Sequence, residues 1–301
     1  MSLKTLHLID ASPYIFRAYY SLPATIVDAA GRPANAIYGF AVFLCQLLEQ
    51  IEPGYLAVAF DQSLTTSFRN EIYPDYKAQR ELPPAELEAQ MQACMELARA
   101  MGLAVYVSDR YEADDLIGTL AHQVREKGFR LVIVSNDKDL AQLIEEGDIF
   151  WDFARDRRWD VQGIFQHFGV YPRQIVDMLA LMGDKVDNIP GVPGVGKQTA
   201  VALLSRFGSV EQIFQRLHEI PGAEIRSATR VHHLLKQHQQ SVFLSQRLAR
   251  ISTEAPIQWE EENLAWKGLD RQRVDALFDR LNFGTGIRER IKALEKRCGN
   301  R

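Results

Sequence analysis

Four short runs dominated by apolar residues fall within the first 135 positions: Leu6-His7-Leu8-Ile9, Leu56-Ala57-Val58-Ala59-Phe60, Val105-Tyr106-Val107 and Leu131-Val132-Ile133-Val134. Their apolarity is continuous rather than alternating, which suits strands buried on both faces of a parallel sheet. Helical patterns lie between them, at 36–51 and 114–127. Strand alternating with helix predicts a doubly wound α/β domain. After about residue 160 the strand signals fade, and Gly and Pro punctuate short helices at 169–172, 191–196, 208 and 221–222. The chain therefore divides into an α/β core at 1–170 and a helical region at 171–301, sizes that suit two modest domains.

One interval is too long for its place. More than forty residues separate the second apolar run from the third, whereas a single crossover helix needs fewer. It holds Phe68, Arg69, Tyr76, Lys77 and Arg80, then Pro83-Pro84, then a helix-like stretch at 85–100. Either an active-site lid or a surface excursion would account for it.

In parallel α/β sheets, function gathers outside the carboxyl ends of the strands. Here Asp10 follows the first run and Asp61 the second; Glu112-Ala113-Asp114-Asp115 comes just after the third, and Asp137-Lys138-Asp139 after the fourth. Singly, each acid is an ordinary turn former, helix cap or partner of a helix dipole. Together they repel one another at one sheet edge and need compensation. An all-oxygen set selects a hard cation such as Mg²⁺ or Mn²⁺, and no Cys/His set suggests zinc. Asp184 and Asp187, three apart, could share one side of a helical turn.

Further on, Ile189-Pro190-Gly191-Val192-Pro193-Gly194-Val195-Gly196-Lys197 leads into a helix. Such glycines permit tight turns and close approach, and the helix N-terminus offers N–H groups to phosphate. The spacing fits no P-loop, and no strand precedes it. A helix-hairpin-helix grip on a DNA backbone, blind to base sequence, fits better.

Bulk properties bound the remainder. Cys45, Cys94 and Cys298 are distant and odd in number, as expected of reduced thiols in a cytoplasmic protein. Neither an export signal nor a membrane-spanning run is visible. The net charge of −4 does not itself suggest a nucleic-acid partner. Residues 225–250, however, hold Arg226, Arg230, Lys236, Arg247 and Arg250 and no acid; 288–301 are also basic, and 251–270 are acidic. A solvated, charge-alternating helical surface would give the same pattern.

Six blocks in order now resemble the 5′-nuclease or flap endonuclease superfamily, most nearly the 5′-nuclease domain of bacterial DNA polymerase I and its stand-alone relatives. They are Asp10-Ala11-Ser12 with Arg17-Ala18-Tyr19; Ala59-Phe60-Asp61; Phe68-Arg69 with Tyr76-Lys77 and Arg80; Tyr111 to Asp115; Asp137-Lys138-Asp139; and Gly183-Asp184 through Gly196. The resemblance implies a PIN-like sheet with a helical arch at about 62–100 and a helix-three-turn-helix element at 189–197. It implies two Mg²⁺ (or Mn²⁺) ions, one among Asp10, Asp61, Glu112 and Asp114, the other among Asp114, Asp137, Asp139 and Asp184. Asp115 and Asp187 would hold waters or outer contacts. A metal pair about 4 Å apart activates water and stabilises the leaving oxygen, leaving 5′-phosphate and 3′-hydroxyl ends.

By the same resemblance Lys77 and Arg80 contact the scissile phosphate, with Asp114 central to the chemistry. Arg17, Arg69 and Tyr76 join the DNA-binding set, as do Gly191, Gly194, Gly196, Lys197 and Gln198. Carbonyls of the hairpin would hold K⁺ against a phosphate. The substrate would be branched, nicked or 5′-ended DNA, and the enzyme a monomer. Two positions depart from the family pattern. Ser135-Asn136 stands where Thr-Gly is expected, in a loop one residue shorter, and Lys197-Gln198 replaces Glu-Lys. A branched-DNA-binding module of the same fold and a ribonuclease are the competing readings. The chain ends near residue 301 without a polymerase-like extension, which fits a stand-alone enzyme or an excised domain.

Overall fold

The computed structural model describes residues 4–51, 54–62 and 67–299; the side chain of Cys298 and residues 63–66 of the expected arch lie outside the described part. In chain order the α/β half runs β1 (Lys4–Asp10), α1 (Ser12–Ser21), α2 (Asn35–Gln50), β2 (Tyr55–Asp61), α3 (Phe68–Ile72), α4 (Ala85–Ala100), β3 (Ala104–Ser108), α5 (Ala113–Arg125), β4 (Phe129–Val134), β5 (Ile149–Asp152) and β6 (Arg157–Trp159). The helices that follow are α6 (Val161–Phe168), α7 (Ile175–Met182), α8 (Lys197–Phe207), α9 (Val210–Gln215), α10 (Ala228–Gln237), α11 (Gln239–Ala249), α12 (Glu261–Leu264), α13 (Arg271–Arg280) and α14 (Thr285–Gly299).

The strands form one sheet in the order β3-β2-β1-β4-β5-β6, with only β6 antiparallel. The chain runs outward from β1 to β3 and then returns to β4 on the other side of β1. That reversal opens a crevice at the carboxyl ends of β1 and β4, the usual ligand position in such sheets. Side chains alternate across the sheet as the pleat requires. Leu6, Leu8, Ala57, Ala59, Leu131 and Ile133 enter one core, shared with α5 and the helical region. Ile9, Leu56, Val58, Phe60 and Val134 enter the other, shared with α1, α2 and α4. Burial of a Val, Leu, Ile or Phe contributes about 1.5–3 kcal/mol, and a one-residue slip of register would exchange the two sets.

The structure amends two sequence expectations. Helix α4 is a core crossover helix, with Leu87, Cys94, Leu97 and Ala98 buried against α2 and the sheet. Among the described residues, 67–84 are thus what is left to the expected arch. The helical region also does not extend intact to residue 301. Val274, Leu277, Phe278, Ile287, Ile291 and Leu294 of α13 and α14 pack into the core on the α2–α4 face, across the sheet from α7–α11. Among the described residues, no helix is long and apolar enough to cross a membrane.

Candidate active site

The carboxylates expected at the strand ends do meet at the crevice. Asp10 closes β1 and accepts a 2.7 Å hydrogen bond from Ser135 Oγ, just past β4. Asp61 closes β2; its Oδ2 accepts from Ser12 Oγ at 2.6 Å and its Oδ1 from the Ala113 N–H at 2.8 Å. That second bond ties β2 to the first turn of α5, where Asp114 stands. Asp137 caps the 3₁₀ turn Lys138–Leu143 by accepting from the Asp139 N–H at 2.9 Å.

The electrostatics are those of crowded like charges. Burial, then Asp61, pushes Asp10 well above the usual carboxylate range. Burial, then Asp137 and Asp10, does the same for Asp114. Asp137 is also raised, chiefly by burial. Asp139 is raised to about 7 by burial and Asp137, and its Oδ1 receives no hydrogen bond. Buried carboxylates that all resist ionisation call for a cation. By donor type the residues fit hard divalent ions. As they stand, no group of three or more His, Cys, Asp or Glu among the described residues is drawn tightly enough to hold one. The side chains would have to close in around the ion.

Two basic side chains stand beside them. Lys77 Nζ donates to Glu112 Oε1 at 2.9 Å and lies 3.9 Å from Asp187 Oδ2. The residue adopts a left-handed φ of 55°, uncommon outside glycine, and its N–H donates to the Asp187 carbonyl at 3.1 Å. Arg80 Nη2 donates to Asp187 Oδ1 at 2.5 Å. Burial alone would raise Glu112, but Lys77 and then Arg69 outweigh it and hold this carboxyl below its usual range. Asp184 is likewise lowered against its burial, by Lys138.

Three positions, Arg69, Tyr76 and Gly191, turn out differently from their expected roles, and Asp115 is narrowed to one of its two. Arg69 is 2% exposed and cannot reach DNA. Its five donors are all spent: Nε on the Leu248 carbonyl (2.8 Å), Nη1 on Asp115 (2.7 Å) and Glu112 (3.3 Å), Nη2 on Asp115 (2.8 Å) and the Arg250 carbonyl (2.9 Å). Asp115 is fully buried and committed to Arg69 and to the N–H groups of Glu112 and Ser252, so of its two expected roles the outer contact behind Glu112 is the one its bonds describe. Tyr76, 3% exposed, turns its hydroxyl to Glu112 (3.1 Å) and Asp187 (3.4 Å) instead of to a nucleotide. Gly191 is buried: its N–H donates to Ser245 Oγ (2.9 Å) and its carbonyl accepts from Ser241 Oγ (2.8 Å). A Cβ there would stand 2.2 Å from the Gly183 nitrogen, so glycine is needed for internal packing.

The rest of the hairpin faces outward. Gly194, Gly196, Lys197 and Gln198 are exposed, and Arg230 of the basic helix α10 approaches Gly194. Lys197 Nζ lies over the Phe168 ring at 5.4 Å. Arg17 is exposed on α1. Helix α11 joins the two sites, with Ser241 and Ser245 on the hairpin and the Leu248 and Arg250 carbonyls, at and just past its C-terminal end, on Arg69. Sequence reasoning missed Ser12, Ser135 and Lys138 as parts of the site. Ser12 and Lys138 stood inside the matching blocks without a role; Ser135 is the departure from the expected Thr-Gly, and its hydroxyl joins Asp10 to the Asp137 N–H.

Two family models match in succession, a 5′-3′ exonuclease N-terminal resolvase-like domain over residues 5–169 and a 5′-3′ exonuclease C-terminal SAM fold over 170–272. The DNA polymerase I of Bacillus caldotenax is 40% identical over 93% of this chain, which spans only 32% of that polymerase. A 5′-3′ exonuclease of Aquifex aeolicus is 36% identical, over 95% of both chains. The T5 D15 protein co-crystallised with metal ions shares the fold, with a TM-score of 0.66 at 18% identity, covering 97% of this chain and 99% of its own. With both models matched and a relative aligned along nearly its whole length, the chain belongs to the 5′-3′ exonuclease family.

Proposed function

We propose that this protein hydrolyses DNA phosphodiester bonds at 5′ ends and 5′ flaps, leaving a 5′-phosphate and a 3′-hydroxyl. The observation that carries the reading is the convergence of Asp10, Asp61, Asp114, Asp137 and Asp139 at one sheet edge, facing Lys77 and Arg80. Asp10, Asp61, Glu112 and Asp114 would hold one Mg²⁺ or Mn²⁺, and Asp114, Asp137, Asp139 and Asp184 the other. Two such ions, when bound, supply an activated water and a Lewis acid for the leaving oxygen.

The chain's own groups do the remainder. Lys77 and Arg80 are held by Glu112 and Asp187 at the rim, from which they can turn to the scissile phosphate and stabilise its developing charge. Arg69, Asp115 and Tyr76 fix Glu112 from behind. The exposed hairpin around Gly194 and Gly196 and the basic α10 form a surface for the duplex backbone, with K⁺ bridging a hairpin carbonyl to phosphate. The co-crystallised metal ions of the T5 D15 protein and the polymerase relatives support this reading.

The test uses labelled 5′-flap DNA in Mg²⁺, with Asp114→Ala and EDTA controls and an RNA flap alongside. Wild-type cleavage near the junction, lost in both controls, is expected. Tight flap binding without cleavage would replace the nuclease with a binding module, and preference for the RNA flap would replace it with a ribonuclease.

A further inference from the structure

Lys138 lies between two of the proposed ligands, Asp137 and Asp139, and its ammonium turns back onto the site. Nζ is 2.6 Å from Asp184 Oδ2 and 3.4 Å from Asp139 Oδ1. The other Asp184 oxygen, Oδ1, already accepts from the N–H groups of Val186 (2.7 Å) and Asp187 (3.4 Å). Lys138 thus occupies the one Asp184 oxygen not engaged by backbone, and faces the Asp139 oxygen that receives no hydrogen bond. Both are oxygens that the second ion would require.

An ammonium and a divalent cation cannot share those lone pairs, because two positive charges about 3 Å apart repel strongly wherever water is scarce. The ammonium has somewhere to go. Its side chain is 38% exposed, and a flexible four-carbon stem carries a compact charge. Lys77 and Arg80 pair instead with Glu112 and Asp187.

We propose that Lys138 is a built-in counter-ion for the second metal position, which the incoming ion must displace from Asp184 and Asp139. The inference rests on the two-ion reading above. It makes the affinity of the second position depend on Lys138. The ion among Asp10, Asp61, Glu112 and Asp114 meets a different ammonium, Lys77 on Glu112 Oε1 at 2.9 Å, so a change at Lys138 acts on the second position. The same ammonium offsets carboxylate repulsion, so it also stabilises the protein in EDTA.

Mn²⁺ titration followed by the electron paramagnetic resonance of free Mn²⁺ tests this on the wild type, Lys138→Met, Lys138→Gln and Lys138→Arg, with thermal melts in EDTA. The expected result is two bound Mn²⁺, one of them tightened at least about fivefold in Met and Gln, as for a modest coupling between sites, but not in Arg. Both neutral variants should melt earlier than the wild type in EDTA. Gln keeps a hydrogen-bond donor for Asp184, which makes the binding test readable if Met folds poorly. Neutral variants that bind the second Mn²⁺ no tighter than the wild type would overturn the proposal and leave the two-ion reading intact. A wild type that binds fewer than two Mn²⁺ would overturn both.

Discussion

Replacing Arg69 by Met should weaken the fold more than loss of a DNA-contacting arginine would. The side chain is buried with every donor used, and Asp115, fully buried, takes two of its bonds. Without the guanidinium, Asp115 keeps only the N–H groups of Glu112 and Ser252. Removing one partner from a buried pair costs about 3–5 kcal/mol, mostly because the other charge is left uncompensated. At roughly 2.1 cal/mol/K of unfolding entropy per residue, a chain of this length would lose about 5–8 °C in Tm if it melts as one unit. Asp115→Leu alone should cost a similar amount by orphaning Arg69. The double variant Arg69→Met/Asp115→Leu removes both charges, and should cost clearly less than the two single changes added together. Melts of the four proteins in EDTA, cross-checked by urea titration, close the cycle. A single-variant cost under about 1 kcal/mol, or strict additivity in the double variant, would refute the claim that this pair is a coupled buried anchor.

Other consequences can be checked in parallel. Lys77→Ala should lower kcat by about 100- to 1000-fold, the usual scale for removing a group that stabilises developing charge, with flap affinity changed much less; an equal loss in both would assign Lys77 to binding alone. Gly191→Ala should cost more than 2 kcal/mol, roughly the upper end for a forced left-handed or overpacked site, whereas Gly196→Ala, with open space at its Cβ, should be near neutral in denaturant melts. Burial lowers His7 from 6.5 to about 4, so the neutral ring's contribution is fully present above pH 6.5 and is lost as pH falls toward 4. That change amounts to about 3 kcal/mol, and His7→Leu should flatten the decline of stability across this window.

The legible parts of the sequence were those with local signatures. Strands β1, β2 and β4 announced themselves because both faces of each are largely buried, and β3, a half-buried edge strand, through its Val105-Tyr106-Val107 run. Strands β5 and β6 did not: Ile149-Phe150-Trp151 is very short, and Arg157-Arg158-Trp159 is an edge strand with two exposed arginines. The acids were legible because a strand end is where a parallel sheet delivers them. Helix 85–100 was legible as a helix, but not its burial, since the α2 surface that covers it is remote in sequence. The partners of Arg69 are at 112, 115, 248 and 250, so nothing near residue 69 distinguishes a buried anchor from a phosphate contact. The return of α13 and α14 to the far face was hidden for the same reason.

Helix α11 works as a ruler. One part of it is pinned to the hairpin through Ser241 and Ser245, and its C-terminal end is pinned beneath Glu112 through Arg69. From Ser241 to Leu248 it advances seven residues, a rise of about 10 Å, close to three base-pair steps of duplex DNA. A nuclease that reads no bases must take its cutting position from some rigid length. Here that length would be a helix, and inserting one turn into it would displace the cut by about one to two nucleotides.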